Sequence, residues 1–374
     1  MANKRIYLAS PQVLGKEREY VKEAFDTNWI APLGPFVNKL EEDFKQYMPI
    51  SNAVALSAGT AALHLAVKLA GVKPGDIVFC SSLTFSASAN PITYEGGIPV
   101  FIDSEPNTYN MSPVALEKAF RKHPNPKAVI IVSLYGMPAD FDKLIPICEK
   151  HNTTVIEDAA ESLGSTYRGR HVGTFGKYNI ISFNGNKIIT TSGGGMLLTE
   201  DKNAAEHALK WATQSREPAR HYEHKEIGYN YRMSNVCAAI GCGQFENLDD
   251  KIHMKREIFN RYVKAFSDID EIKMLKEPEG FMSTHWLSIM KLNDTSKVKP
   301  IDIMEALEAN NIESRPIWKP MHMQPVFDNC EFFAHSEKNP VSEELFATGV
   351  CLPSDTNMTK KDQEIVIKII KSFF

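Results

Sequence analysis

One lysine, one aspartate and several turns rich in small residues carry most of the chemistry this sequence can offer. Lys187 closes the run Ser182-Phe183-Asn184-Gly185-Asn186-Lys187, which leaves an apolar segment for a polar turn, and Gly193-Gly194-Gly195 follows shortly after. A lysine in such a turn is normally a solvated surface charge. Here a serine, two asparagines and a triple glycine supply hydrogen bonds and close backbone approach around one amine. Asp158 stands in Ile156-Glu157-Asp158-Ala159-Ala160, where an apolar strand ends. A carboxylate there faces the crevice in which open α/β sheets bind ligands, and a helix cap would account for it equally well. Ser57-Ala58-Gly59-Thr60 joins a short apolar segment to a run of helix formers. Free N–H groups at such a helix start bind phosphate, although any tight strand-to-helix turn has the same composition. Thr84-Phe85 follows the segment that ends at Cys80, and the ring suits either stacking on a flat ligand or core packing.

Positioning these pieces requires a regular scaffold. Asn52–Leu56, Ile77–Cys80, Ile98–Ile102, Ala128–Val132, Thr154–Ile156, Asn179–Ser182 and Met196–Leu198 read as strands, several of them continuous apolar runs of the kind buried in parallel sheets. Helix-forming stretches alternate with them, and Ser112-Pro113 is a helix start with serine at the cap and proline at the first turn. The alternation predicts a three-layer α/β domain over residues 1–250. Beyond it, a long amphipathic helix leads into shorter mixed elements, which predicts a smaller α+β domain over 251–374.

The chain has 374 residues, 43% of them hydrophobic and 24% charged, with a net charge of −4. That is an ordinary globular balance, and it excludes a disordered chain, a coiled coil or a fibre. Neither a nucleic acid nor an anionic membrane is an expected partner, and no apolar run approaches a membrane span. The first residues lack the apolar stretch of a signal peptide. Six dispersed cysteines without a Cys-x-x-Cys pair suggest reduced thiols in a cytoplasmic protein, with no metal site.

A lysine amine, a carboxylate at a strand end, a phosphate turn and a stacking aromatic together match the needs of pyridoxal 5'-phosphate. Their order resembles that of fold-type I aminotransferases. More narrowly, the chain resembles the DegT/DnrJ/EryC1/StrS sugar aminotransferases over nearly its whole length. The resemblance runs through Asn28-Trp29-Ile30-Ala31-Pro32-Leu33-Gly34-Pro35, SAGTAALHLA, EDAAESLGS, SFNGNK, GYNYRMSNVCAAIG and the segment from Arg315 to Pro325 that contains His322.

The resemblance implies an aspartate aminotransferase-like large domain closed by a smaller one. It makes Lys187 the Schiff-base lysine, Asp158 the partner of the pyridine nitrogen and Phe85 the stacking ring. Gly59, Thr60 and Ser182 become the phosphate cup. Glu161 stands where many relatives have His or Gln beside the ring, and Asn230 matches a position that reaches the neighbouring subunit's cofactor in a homodimer with shared active sites. Trp29, Asn184, Arg315 and His322 are the candidates for sugar and diphosphate contacts. The implied reaction passes the amino group of glutamate to C4 of a nucleotide-linked 4-keto-6-deoxy sugar in two half-reactions. Enzymes making UDP-N-acetylbacillosamine precursors look closest, with GDP-perosamine synthases and C3-aminotransferases as alternatives. Relatives that dehydrate sugars carry histidine at the lysine position, so Lys187 favours transamination. The absence of iron–sulfur cysteine clusters weighs against deoxygenation, and the intact Lys187–Asp158 pair weighs against a catalytically idle scaffold.

Overall fold

The computed structural model describes residues 4–374. Its central sheet takes β1 (Asn52–Leu56), β2 (Ile77–Ser81), β3 (Ile98–Ile102), β4 (Ala128–Val132) and β5 (Thr154–Asp158). A short ribbon of β6 (Thr166–Tyr167) and β7 (Arg170–His171) precedes β8 (Tyr178–Ser182) and β9 (Gly195–Thr199). The strand order is β1-β9-β8-β5-β4-β2-β3, extended at the β3 edge by β14 (Phe332–Phe333). All neighbours are parallel except β9, which runs antiparallel to both β1 and β8.

Residue type explains the arrangement. Every residue of β4 is buried, because helices cover both faces of the parallel part of the sheet. Burying side chains such as Ile130 and Ile131 contributes about 2 kcal/mol each. The expected cap is present: the Ser112 hydroxyl accepts a hydrogen bond from the Ala115 nitrogen at 3.1 Å, ahead of the helix Pro113–Lys122.

The C-terminal part builds its own antiparallel sheet, ordered β10 (Ile272–Met274), β12 (Ser288–Leu292), β15 (Gly349–Leu352) and β13 (Arg315–Pro316). β11 (Phe281–Met282) joins the β6–β7 ribbon instead. The line drawn at residue 250 is therefore crossed by β11 and β14, which pair with strands of the first part. It is also crossed by the N-terminus, whose Ile6 bridges to Ile312. An apolar seam holding Leu83, Val132, Tyr135, Trp286, Leu287 and Ile317 joins the two parts.

Candidate active site

The carboxyl ends of β5 and β8 and the start of the helix Gly59–Leu69 converge on a cavity of about 250 Å³. Gly59, Thr60, Phe85, Asp158, Glu161, Ser182, Asn184 and Lys187 all line it, so the sequence motifs do meet in space. A wider cleft of about 960 Å³ lies between residues 105–109, 140–143 and 263–281. None of the expected site residues lines it, and its size does not outweigh the convergent polar groups of the smaller cavity.

The helix Gly59–Leu69 begins without a side-chain cap, so its first N–H groups are free to meet an anion. Small residues are required here. A Cβ at residue 59 would lie 3.0 Å from Ser182 Cβ and 3.2 Å from its hydroxyl, filling the cradle between helix start and hydroxyl. A Cβ at residue 195 would collide with the Ala58–Gly59 peptide, because β9 starts directly against this turn. The Ser57 nitrogen donates to the Tyr231 carbonyl at 2.7 Å, which fixes the turn from its other side.

Asp158 is buried, and its carboxylate accepts from the Ser88 hydroxyl at 2.7 Å and from the Ala160 nitrogen at 3.1 Å. Ser88 is itself bonded to the Thr84 hydroxyl at 2.7 Å. Burial raises the Asp158 pKa, and Ser88, the Ala160 nitrogen and Lys187 oppose that rise. Such a carboxylate calls for a cationic partner within the cavity. Glu161, also buried, accepts from the Tyr135 nitrogen at 2.9 Å and lies 3.4 Å from Lys187 Nζ. Burial raises its pKa too, with Asp158 adding to the rise and Lys187 and the Tyr135 nitrogen opposing it. Tyr135 holds a left-handed backbone conformation, φ +56°, at this contact. The Lys187 amine is largely shielded and sits 4.2 Å from the centre of the Trp286 ring. Phe85 is 52% exposed and its ring lies 5.6 Å from that of Trp318, leaving one aromatic face available to the cavity.

The remaining expected residues lie elsewhere. His322 is not in the cavity: its ring nitrogens bond the Ser82 hydroxyl at 2.6 Å and Glu343 at 3.2 Å, and the ring stacks on Phe332 at 3.6 Å. It pins the loop after β13 against the end of β2, outside the cavity that holds Lys187. Trp29 lies outside the cavity on the surface, half exposed, where its carbonyl accepts from the Asn235 amide at 2.7 Å. Asn230 is exposed and outside this chain's own cavity. Arg315 lines a second cavity of about 400 Å³ that shares Asn186, Trp286 and Trp318 with the first. Ser88, Tyr135, Trp286 and Trp318 escape motif reasoning, because each acts through a contact made only in the folded chain. Of the four, only Trp318 lies in the segment from Arg315 to Pro325.

The profile of the DegT/DnrJ/EryC1/StrS aminotransferase family matches residues 11–371. The chain belongs to that family. It is a pyridoxal 5'-phosphate-dependent sugar aminotransferase. EpsN of Bacillus subtilis (strain 168), which carries the provisional name pyridoxal phosphate-dependent aminotransferase, is 50% identical over all of this chain and 96% of its own. A GDP-perosamine synthase of Escherichia coli O157:H7 is 37% identical over 99% of both chains. The solved structure of a DegT DnrJ EryC1 StrS aminotransferase from Brucella abortus superposes with a TM-score of 0.88, at 28% identity, over 96% of this chain and 95% of its own. No described helix is long and apolar enough to cross a membrane.

Proposed function

We propose that this enzyme transfers the amino group of glutamate to C4 of a UDP-linked 4-keto-6-deoxy sugar, UDP-4-keto-6-deoxy-N-acetylglucosamine, for cell-surface glycan synthesis in the cytoplasm. The aminotransfer part rests on the meeting of one shielded amine, Lys187, with two buried carboxylates and an uncapped helix start in a single cavity, and the UDP-linked 4-keto acceptor rests on the sequence resemblance.

These residues fit the cofactor. Its phosphate suits the cradle of Gly59, Thr60 and Ser182, which a single Cβ would fill. Buried Asp158 would hold its ring nitrogen as a cation, and Phe85 would offer a face for the ring to stack upon. When bound, pyridoxal phosphate carries the amino group between substrates and accepts electron density from the reacting carbon. The protein does the rest. Lys187 Nζ would take the proton from the donor Cα and deliver it to the cofactor carbon that carries the amino group, and in the acceptor half-reaction it would move a proton the other way, from that carbon to the sugar carbon. Glu161, 3.4 Å away, steadies that amine. Asp158 would set its negative charge against the ring nitrogen, in the orientation that Ser88 and the Ala160 nitrogen fix.

Arg315 and Lys319 on the adjoining cavity supply positive charge for the diphosphate, and Asn184 lies within the first cavity for the sugar. Asn230, exposed on its own chain, is suited to reach the phosphate site of a second copy, which makes a homodimer the working unit. A GDP-linked acceptor is the second reading, favoured by the likeness to GDP-perosamine synthase. Incubation with glutamate and a panel of UDP-, GDP- and dTDP-linked keto sugars, with mass and NMR analysis of the product, separates these. The C4 amine of the UDP sugar is expected. An amine at C3, or no turnover of any 4-keto sugar, would overturn the proposal.

A further inference from the structure

Trp286 stands just before β12, in the C-terminal part of the chain, yet its side chain lines the cavity of the large sheet. It is 1% exposed and touches the Lys187 turn in two ways. The ring centre lies 4.2 Å from Lys187 Nζ, and the indole N–H donates to the Asn186 carbonyl at 2.7 Å. One side chain therefore faces the amine with its ring and holds the preceding peptide with its N–H. A protonated amine at that distance is attracted by the ring's electron-rich face.

Trp286 is in turn held from behind. Lys255, in the helix Leu248–Ala265, is 4% exposed. Its amine donates to the Trp286 carbonyl at 3.0 Å and to the Ser354 carbonyl at 2.6 Å. Lysine is seldom buried, and here two carbonyl acceptors meet its need for partners. Burial lowers its pKa to about 7, with Lys251 pushing the same way and Asp355 opposing. Charged or neutral, the amine keeps enough hydrogens for both carbonyls, so the tie survives titration. On the other side, Gly136 packs so closely that a Cβ there would lie 2.9 Å from the Trp286 nitrogen. Gly136 follows Tyr135, whose nitrogen holds Glu161.

We propose that Trp286 positions the Lys187 amine between proton transfers, and that Lys255 positions Trp286, so that the C-terminal part of the chain sets the geometry of the reacting amine. This rests on the assignment of Lys187 made above. The test uses the full-length enzyme with Trp286→Leu, Trp286→Phe and Lys255→Met. The first readout is made on apo-enzyme: the rate at which acetic anhydride labels Lys187 at fixed pH, read by peptide mass spectrometry, with exposed Lys202 as internal control. Trp286→Leu should raise Lys187 labelling about fivefold or more, with Trp286→Phe and Lys255→Met intermediate and Lys202 unchanged. In the loaded enzyme kcat should fall about tenfold with the KM for glutamate within twofold. Should Trp286→Leu not fold, Trp286→Phe decides alone: a rise of twofold or more supports the proposal, and a smaller one overturns it. Wild-type labelling rates in both Trp286 variants would likewise overturn it. Failure of the Lys187 assignment looks different, because the visible band of the bound cofactor would then survive Lys187→Ala.

Discussion

Replacing Gly59 by alanine separates cofactor binding from folding. The added methyl would sit 3.0 Å from Ser182 Cβ and 3.2 Å from its hydroxyl, at the mouth of the phosphate cradle. Its effects on stability run in opposite directions. Alanine favours a helix over glycine by up to about 1 kcal/mol, and the tight contact with Ser182 costs a similar amount. Net stability should change by less than about 1 kcal/mol, and the apo Tm should move little. Affinity is another matter. The methyl takes space that a phosphate oxygen needs, and losing one charge-assisted hydrogen bond costs about 1.5–3 kcal/mol. That corresponds to a rise in cofactor Kd of about 10- to 150-fold. Titrating apo-enzyme with pyridoxal phosphate and following the visible band gives Kd, and a thermal scan gives Tm. A Kd within twofold of wild type, at unchanged Tm, would refute the placement of the phosphate.

Three further outcomes follow from the same geometry. Burial holds the Asp158 pKa above its ordinary value, so this group stabilises the apo fold most at pH below the unfolded carboxylate pKa and loses that contribution as pH rises through the folded one. Asp158→Asn should therefore raise the apo Tm at neutral pH by about 1–3 °C while weakening cofactor binding at least tenfold, and a lowered Tm would contradict this. Arg315→Ala should raise the KM for the sugar nucleotide about tenfold and leave the glutamate half-reaction unchanged, which stopped-flow absorbance resolves. His322→Ala should lower Tm through loss of the Ser82 and Glu343 bonds, with sugar-nucleotide KM within twofold of wild type. A large KM effect would contradict this and place His322 at the acceptor site.

The strands were legible because parallel strands buried on both faces must be apolar throughout, and AVIIV and IPVFI are. The site was legible where chemistry forces residue type within a short segment: Gly59 against Ser182, Asp158 at the end of β5, Lys187 in its turn. It was not legible where the chain returns from a distance. Trp286 reaches Lys187 from 99 positions further along, and nothing local in His285-Trp286-Leu287 announces it. The packing of His322 was hidden for a related reason. Its motif is conspicuous, but Ser82, Glu343 and Phe332 occupy its ring, and they lie far from it in sequence or on another element. The crossing of the 250 line by β11 and β14 was equally hidden, since two-residue strands carry no periodic signal.

The central claim is that Lys187 is the amine through which this enzyme works. Reducing the loaded enzyme with borohydride and mapping the modified peptide by mass spectrometry tests it most directly. The pyridoxyl mass is predicted on Lys187 alone. Its appearance on any other lysine, or its persistence in Lys187→Ala, would contradict the account.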